Sequence, residues 1–123
     1  MATILLIDDD EMVQSVTREL LTLLGYAVLS ADNGQQALRT ARAEAAVIDL
    51  VLLDLSLPDM SGFDLLPQLR QILRPQAKIV LCSGSMCEQG GDKELQGKDL
   101  DAVLQKPFEL STLKGTVEQV LGS

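Results

Sequence analysis

Short unbroken apolar runs alternate along this chain with stretches in which apolar residues recur every three or four positions. Ile4-Leu5-Leu6-Ile7 is a compact run that ends abruptly in acid, the pattern of a strand buried on both faces. Val13, Val16, Leu20 and Leu23 then recur at helical spacing, and Gly25 supplies a stop. Tyr26 to Leu29 reads as a second strand. Asn33 is placed to cap a helix running to about Ala43, with Ala37, Leu38 and Ala41 on its inner face. Val47 to Leu53 is a third strand, interrupted only by Asp49. A loop from Asp54 to Ser61 leads into a helix over Gly62 to Leu73, stopped before Pro75. Pro67 lies inside it and removes a backbone donor, which predicts a local kink or a tolerated early-turn position. Lys78 to Leu81 is the fourth strand. Met86 to Gly97 carries Gly90, Gly91 and Gly97 with little apolar content, so any helix there is weak. Ala102 to Leu104 is a short fifth strand. Leu110, Leu113, Val117, Val120 and Leu121 mark a final amphipathic helix.

A strand followed by a helix thus repeats five times, and the strands lack polar alternation. Both facts point to an α/β fold in which a parallel sheet is covered on both faces. The 123 residues suit one domain, spanning residues 1–123. Composition narrows the chemistry. Aromatics are 2% of the chain and the net charge is −8, which argues against stacking on bases or approaching a phosphate backbone, so no direct nucleic-acid partner is expected. There is no His, and Cys82 and Cys87 stand without metal-ligand companions, so zinc sites and His-dependent nucleophiles within the chain are excluded or strained. The start runs straight into a strand, and no apolar run reaches membrane length. A cytoplasmic location and no membrane partner are expected.

In open parallel sheets, ligands bind beyond the carboxyl ends of the strands. Here the first strand ends in Asp8-Asp9-Asp10-Glu11, the third in Asp54, the fourth in Ser83-Gly84-Ser85 and the fifth in Lys106-Pro107-Phe108. Clustered carboxylates suit a hard cation such as Mg2+, which prefers oxygen ligands and keeps several waters. A carboxylate is also a nucleophile able to form an aspartyl phosphate. Lys106 would offset the incoming charge, and the Ser83 hydroxyl would donate to a phosphoryl oxygen. Each residue has a plainer reading. Asp10 and Glu11 fit a helix N-terminus, Asp54 a turn, Ser83-Gly84-Ser85 a cap, and Lys106 a solvated surface lysine. The four strand ends together carry the argument.

These residues resemble the receiver domains of two-component response regulators over essentially the whole chain. The resemblance rests on Ile-Asp-Asp-Asp-Glu at 7–11, Leu-Leu-Asp-Leu-Ser-Leu-Pro-Asp-Met-Ser-Gly at 52–62, Leu-Cys-Ser-Gly at 81–84 and Leu-Gln-Lys-Pro-Phe at 104–108. It implies a doubly wound (βα)5 fold, with flavodoxin-like strand order 2-1-3-4-5. It implies that Asp54 is the phosphoacceptor, assisted by Ser83 and Lys106. The metal, Mg2+ or Mn2+, would be held by Asp8, Asp9, Asp54 and the backbone carbonyl of Ser56, with Asp9 the direct ligand and Asp8 acting mostly through water. The partner would be a sensor histidine kinase or a histidine phosphotransfer domain. The fourth and fifth motifs look most like receivers of hybrid sensor kinases, so the chain is expected to be either a stand-alone receiver or part of a longer protein with a fused kinase or effector domain, and the domain itself a monomer or weak homodimer.

The side chains of Ser56 and Ser85 stand where the family tunes hydrolysis. Two small hydroxyls are weak general bases, so autodephosphorylation is expected to be slow. One departure concerns Val103, where the family usually carries a Tyr or Phe that turns inward on activation. Val103 has no such swing, which points to readout by segment ordering or phosphoryl relay. Three other readings compete. An aspartate-nucleophile phosphatase or phosphotransferase usually places an acid two residues after the nucleophile, where this chain has Ser56. A degenerate receiver serving only as an interaction module would not need Asp8, Asp9, Asp54, Ser83 and Lys106 intact. A flavodoxin-like nucleotide binder would carry a Gly-rich loop after the first strand.

Overall fold

A computed structural model describes residues 2–55, 57–83, 101–105 and 110–121. In chain order the elements are β1 (Thr3–Ile7), α1 (Glu11–Leu23), β2 (Ala27–Ala31), α2 (Gly34–Glu44), β3 (Ile48–Asp54), α3 (Gly62–Ile72), β4 (Lys78–Ser83), β5 (Ala102–Gln105) and α4 (Leu110–Leu121). The strands form one five-stranded parallel sheet in the order β2-β1-β3-β4-β5. The expected strand order is therefore present. The weak helical segment anticipated over 86–97 lies outside the described residues.

The unbroken apolar strands are explained by two separate cores. On one face, Leu5, Ile7, Val51, Leu53, Ile79 and Leu81 pack under α2 and α3. On the other, Ile4, Leu6, Leu50, Leu52, Val80 and Leu104 pack under α1 and α4. Successive strand residues point to opposite faces, so the central residues of β1 and β3 are apolar on both sides of the sheet. Val103 is half-buried on the first face and pairs in register with Leu81.

Several boundaries differ from the sequence pattern, for local reasons. Gly25 adopts φ 98°, and the Gly25 and Tyr26 N–H groups donate to the carbonyls of Thr22 and Leu21. Tyr26 is thus held in the helix exit, and β2 begins at Ala27. The Val47 N–H donates to the Glu44 carbonyl, so β3 begins at Ile48. In α1 the buried stripe is Gln14, Thr17 and Leu21, whereas Val16 and Leu23 are exposed. The helix is turned so that the Gln14 amide reaches backbone carbonyls beneath it, at Asp8 and Ala31. Pro67 is the sixth residue of α3, beyond its first turn. It leaves the carbonyl of the half-exposed Phe63 without a helical donor.

The opposite edge of the sheet is fastened by charge. Asp101 accepts from the Ile79 N–H at 2.8 Å and pairs with Arg70 at 2.9 Å, tying the start of β5 to β4 and α3. Asp49 accepts from the Thr3 N–H and from Arg74, both at 2.9 Å. That explains the single charge inside the third apolar run.

Candidate functional site

Asp8 leaves β1 with its N–H still bonded to the Ala31 carbonyl at 3.0 Å, so it extends the strand direction by one residue. Its carboxylate accepts from the Asp10 N–H at 2.9 Å. Asp10 in turn caps α1, accepting from the Met12 and Val13 N–H groups. The plainer reading of Asp10 and Glu11 therefore holds: they begin a helix. Behind this turn, the buried Gln14 Nε2 donates to the carbonyls of Asp8 (2.8 Å) and Ala31 (3.2 Å) and to the Asp32 carboxylate (2.9 Å). One side chain so binds the ends of β1 and β2 to α1.

Asp54 is the last residue of β3, and the register places it beside Cys82 of β4. Because Ile7 and Leu53 are also in register, Asp8 and Asp54 emerge next to each other. Carboxylate oxygens of Asp8, Asp9 and Asp54 all lie within 4.8 Å of one another. Asp8 is 3% exposed and Asp54 7%, while Asp9 is exposed, so two acids line the floor and one stands at the mouth. Carboxylates at this range repel one another. An all-oxygen donor set of this kind fits a small hard cation that retains part of its water shell.

β4 ends on Ser83 and β5 on Gln105, and those two residues are in register. The remaining strand ends thus finish at the same sheet edge as Asp8 and Asp54. The side chain of Ser83 lies outside the described residues, as do Ser56, Ser85 and Lys106.

The loop after Asp54 is held at both ends. The Gly62 N–H donates to the Leu55 carbonyl at 2.8 Å, and a Cβ at Gly62 would meet the Asp54 carbonyl oxygen and Leu55 Cα at 2.9 Å. Only glycine lets α3 begin this close to the end of β3. On its outer side the loop grips α2. The Asp59 carboxylate accepts from the Gly34 N–H at 2.7 Å and the Gln35 N–H at 3.0 Å. These two amides, Gly34 the stronger, hold the Asp59 carboxyl below the usual carboxylate range. Met60 lies over Gly34, where a Cβ would stand 2.5 Å from its Cγ and Sδ. Asn33 completes the helix start by accepting from the Gln36 N–H at 2.8 Å.

Sequence reasoning brought Asp8, Asp9 and Asp54 to one place, and the structure does the same. It missed Gln14 and Asp59. Gln14 sits in an ordinary helical stripe, and Asp59 in an ordinary turn; their partners lie far along the chain.

A family model described as the response regulator receiver domain matches residues 4–118. The sensor kinase/phosphatase LuxN of Vibrio campbellii is 35% identical over 114 residues, which is 91% of this chain and 13% of LuxN. The transcriptional regulatory protein CpxR of Escherichia coli is 35% identical over 121 residues, 98% of this chain and 50% of CpxR. The chain therefore spans half or less of these relatives. Among solved structures, a CheY-like receiver domain protein from Methanospirillum hungatei has TM-score 0.90 at 27% identity, covering 99% of this chain and 94% of that one. The receiver domain of the sensor histidine kinase PA1611 from Pseudomonas aeruginosa has TM-score 0.85 at 27% identity, covering 99% and 98%, and in that structure a magnesium ion is coordinated in the active-site cleft. The paired apolar strands, the acidic floor at their carboxyl ends and these matches agree: the chain belongs to the response regulator receiver domain family.

Proposed function

We propose that this receiver domain is a phosphoacceptor in which Asp54 takes a phosphoryl group from a phosphohistidine on a sensor histidine kinase or a histidine phosphotransfer domain. The observation that carries the proposal is the convergence of Asp8, Asp9 and Asp54 within 4.8 Å, two of them buried at the strand ends. Asp8, Asp9, Asp54 and the backbone carbonyl of Ser56 would hold Mg2+ or Mn2+. That ion would supply charge to offset the phosphoryl oxygens in an acidic pocket. An Asp54 carboxylate oxygen attacks phosphorus, a new O–P bond forms, and the P–N bond to the donor imidazole breaks with its electron pair left on nitrogen. The Ser83 hydroxyl and the Lys106 ammonium are the donors assigned to the phosphoryl oxygens. In the return step water attacks phosphorus, releasing phosphate and the Asp54 carboxylate. Ser56 and Ser85 offer it no strong base, so this step is slow.

Val103 is assigned no aromatic-switch role; a half-buried valine on the α2–α3 face has no ring to turn. Readout instead falls to the segment between β4 and β5 or to onward phosphoryl relay. LuxN and CpxR are longer than the matched stretch, whereas the CheY-like and PA1611 receiver structures are spanned almost whole, so this receiver either stands alone or is fused to a kinase or effector domain. Its setting is the cytoplasm, as a monomer or weak homodimer. Among the described residues no helix is long and apolar enough to cross a membrane.

The test is direct. The protein is incubated with Mg2+ and acetyl phosphate and weighed intact. One phosphoryl adduct is expected, and Asp54→Ala is expected to show none. A wild-type protein with no adduct, and no binding of beryllofluoride, would sink the proposal and favour a degenerate receiver acting only as an interaction module.

A further inference from the structure

We infer that Asp59 is a positioning residue for phosphoryl transfer. By gripping the first two amides of α2, it holds the loop that leads away from Asp54 in the geometry the site needs. The inference rests on the phosphoacceptor reading of Asp54 and adds a residue to it.

Three observations converge. First, the Asp59 carboxylate spans the Gly34 and Gln35 N–H groups at 2.7 and 3.0 Å, a two-pronged contact between the loop after β3 and a helix whose sequence lies 24 and 25 residues upstream. Two of the otherwise unpaired amides of the α2 N-terminus are satisfied by this one side chain. Second, Met60 is laid directly on Gly34, filling the space a Cβ would occupy. Third, the far end of the loop is clamped where Gly62 abuts the Asp54 carbonyl oxygen and donates to Leu55. The segment between Asp54 and Gly62 is therefore held on the nucleophile's own strand and on α2. Without Asp59, the hold on α2 is left to the packing of Met60 on Gly34. Asp59 itself is exposed and lies outside the acidic cluster, so its action on the site is indirect.

The same contact gives α2 a mechanical link to the site. Any displacement of the loop at Asp54 pulls on Gly34 and Gln35 through a short carboxylate. Asn33, which bonds Gln36 instead, has no such link.

The experiment uses the intact chain and four proteins: wild type, Asp59→Ala, Asp59→Asn and Val117→Ala. Val117 is fully buried under the opposite face of the sheet, so its truncation lowers stability without touching the loop. Two quantities are measured: Mg2+ affinity by calorimetry, and the rate of Asp54 labelling by acetyl phosphate at saturating Mg2+. Asp59→Ala is expected to lose severalfold in each, below the roughly tenfold or more seen for groups bonded directly to a metal's ligands, because Asp59 bonds none of them. Asp59→Asn keeps one acceptor oxygen, folds as wild type, and is expected to fall between the two. Val117→Ala is expected to match wild type in both while unfolding at lower urea. The inference is overturned if Asp59→Ala and Asp59→Asn behave as wild type, or if Val117→Ala slows labelling as much as they do. Should wild type itself neither bind Mg2+ nor take a phosphoryl group, the phosphoacceptor reading fails first and this inference goes with it.

Discussion

A methyl group at position 34 would sit 2.5 Å from both Cγ and Sδ of Met60, closer than carbon atoms pack. At the first turn of a helix alanine is ordinarily preferred to glycine, so this glycine is kept by its neighbour and not by its own backbone. Gly34→Ala is expected to cost about 1 kcal/mol in urea unfolding, the low end for overpacking, because Met60 can turn aside. Met60 is a flexible chain end, so Met60→Ala in the same molecule should recover at least half of that loss. A double mutant as unstable as the sum of the singles would show that the two residues do not share this space. Gly62 is different in kind, because its near neighbours are backbone atoms of Asp54 and Leu55 that have no rotamer to change. At this scale the acids were legible in the sequence wherever a run of apolar residues ended on them, as at Asp8 and Asp54. Asp59 was not legible, since nothing within five residues of it marks a contact with an amide 25 positions away.

Elements here are defined as much by their exits as by their periodicity. α1, α2 and α3 each begin on a side chain that accepts from their first turn, Asp10, Asn33 and Ser61. Asn33 was readable in advance, because a capping residue before an apolar stripe is a local signal. The rotation of α1 was not, because it depends on Gln14 reaching carbonyls of two different strands. The turn between α1 and β2 brings Tyr26 against the α4 face, where burial first and the Glu118 carboxylate second push its phenol above the ordinary tyrosine value. A raised value means that the folded state holds this proton more tightly than the unfolded chain. The associated stability is intact below the ordinary tyrosine range and is lost as pH rises through the folded value. Tyr26 is the only tyrosine, and there is no Trp, so tyrosinate absorbance reports on it alone. The absorbance is expected to appear at higher pH than in the urea-unfolded chain, and Glu118→Gln should lower that pH part of the way. Identical titrations of folded and unfolded chains would refute the placement.

Over the whole molecule the net charge is −8, and Asp8, Asp9 and Asp54 converge where the strands end, so the folded state carries a local repulsion that the unfolded chain relaxes. Asp9 is the exposed member of the cluster, so its share of that repulsion is screened by solvent but not abolished. In metal-free buffer, Asp9→Asn is therefore expected to unfold at higher urea than wild type. Addition of Mg2+ should reverse the order, because binding to the native state alone stabilises wild type by about 2.7 kcal/mol at a hundredfold excess over Kd. If Asp9→Asn gained as much from Mg2+ as wild type, Asp9 would not be a ligand. The strand order was readable in advance only through the family resemblance. The reason is physical: apolar runs announce that strands are buried, but which strand lies beside which is decided by contacts between segments far apart in the chain.

The sheet also divides the interior into two half-cores that share strands but few side chains, one beneath α2 and α3 and one beneath α1 and α4. Substitutions on opposite sides of such a wall act nearly independently, whereas those on the same side must be accommodated jointly. In hereditary terms, the domain can drift on one side while the other stands still. Changes around Leu21, Leu113 and Val117 can accumulate without disturbing Met60, Gly34 and the loop they hold. Two lineages of this domain can therefore grow far apart on one flank and still keep the same loop after Asp54 on the other.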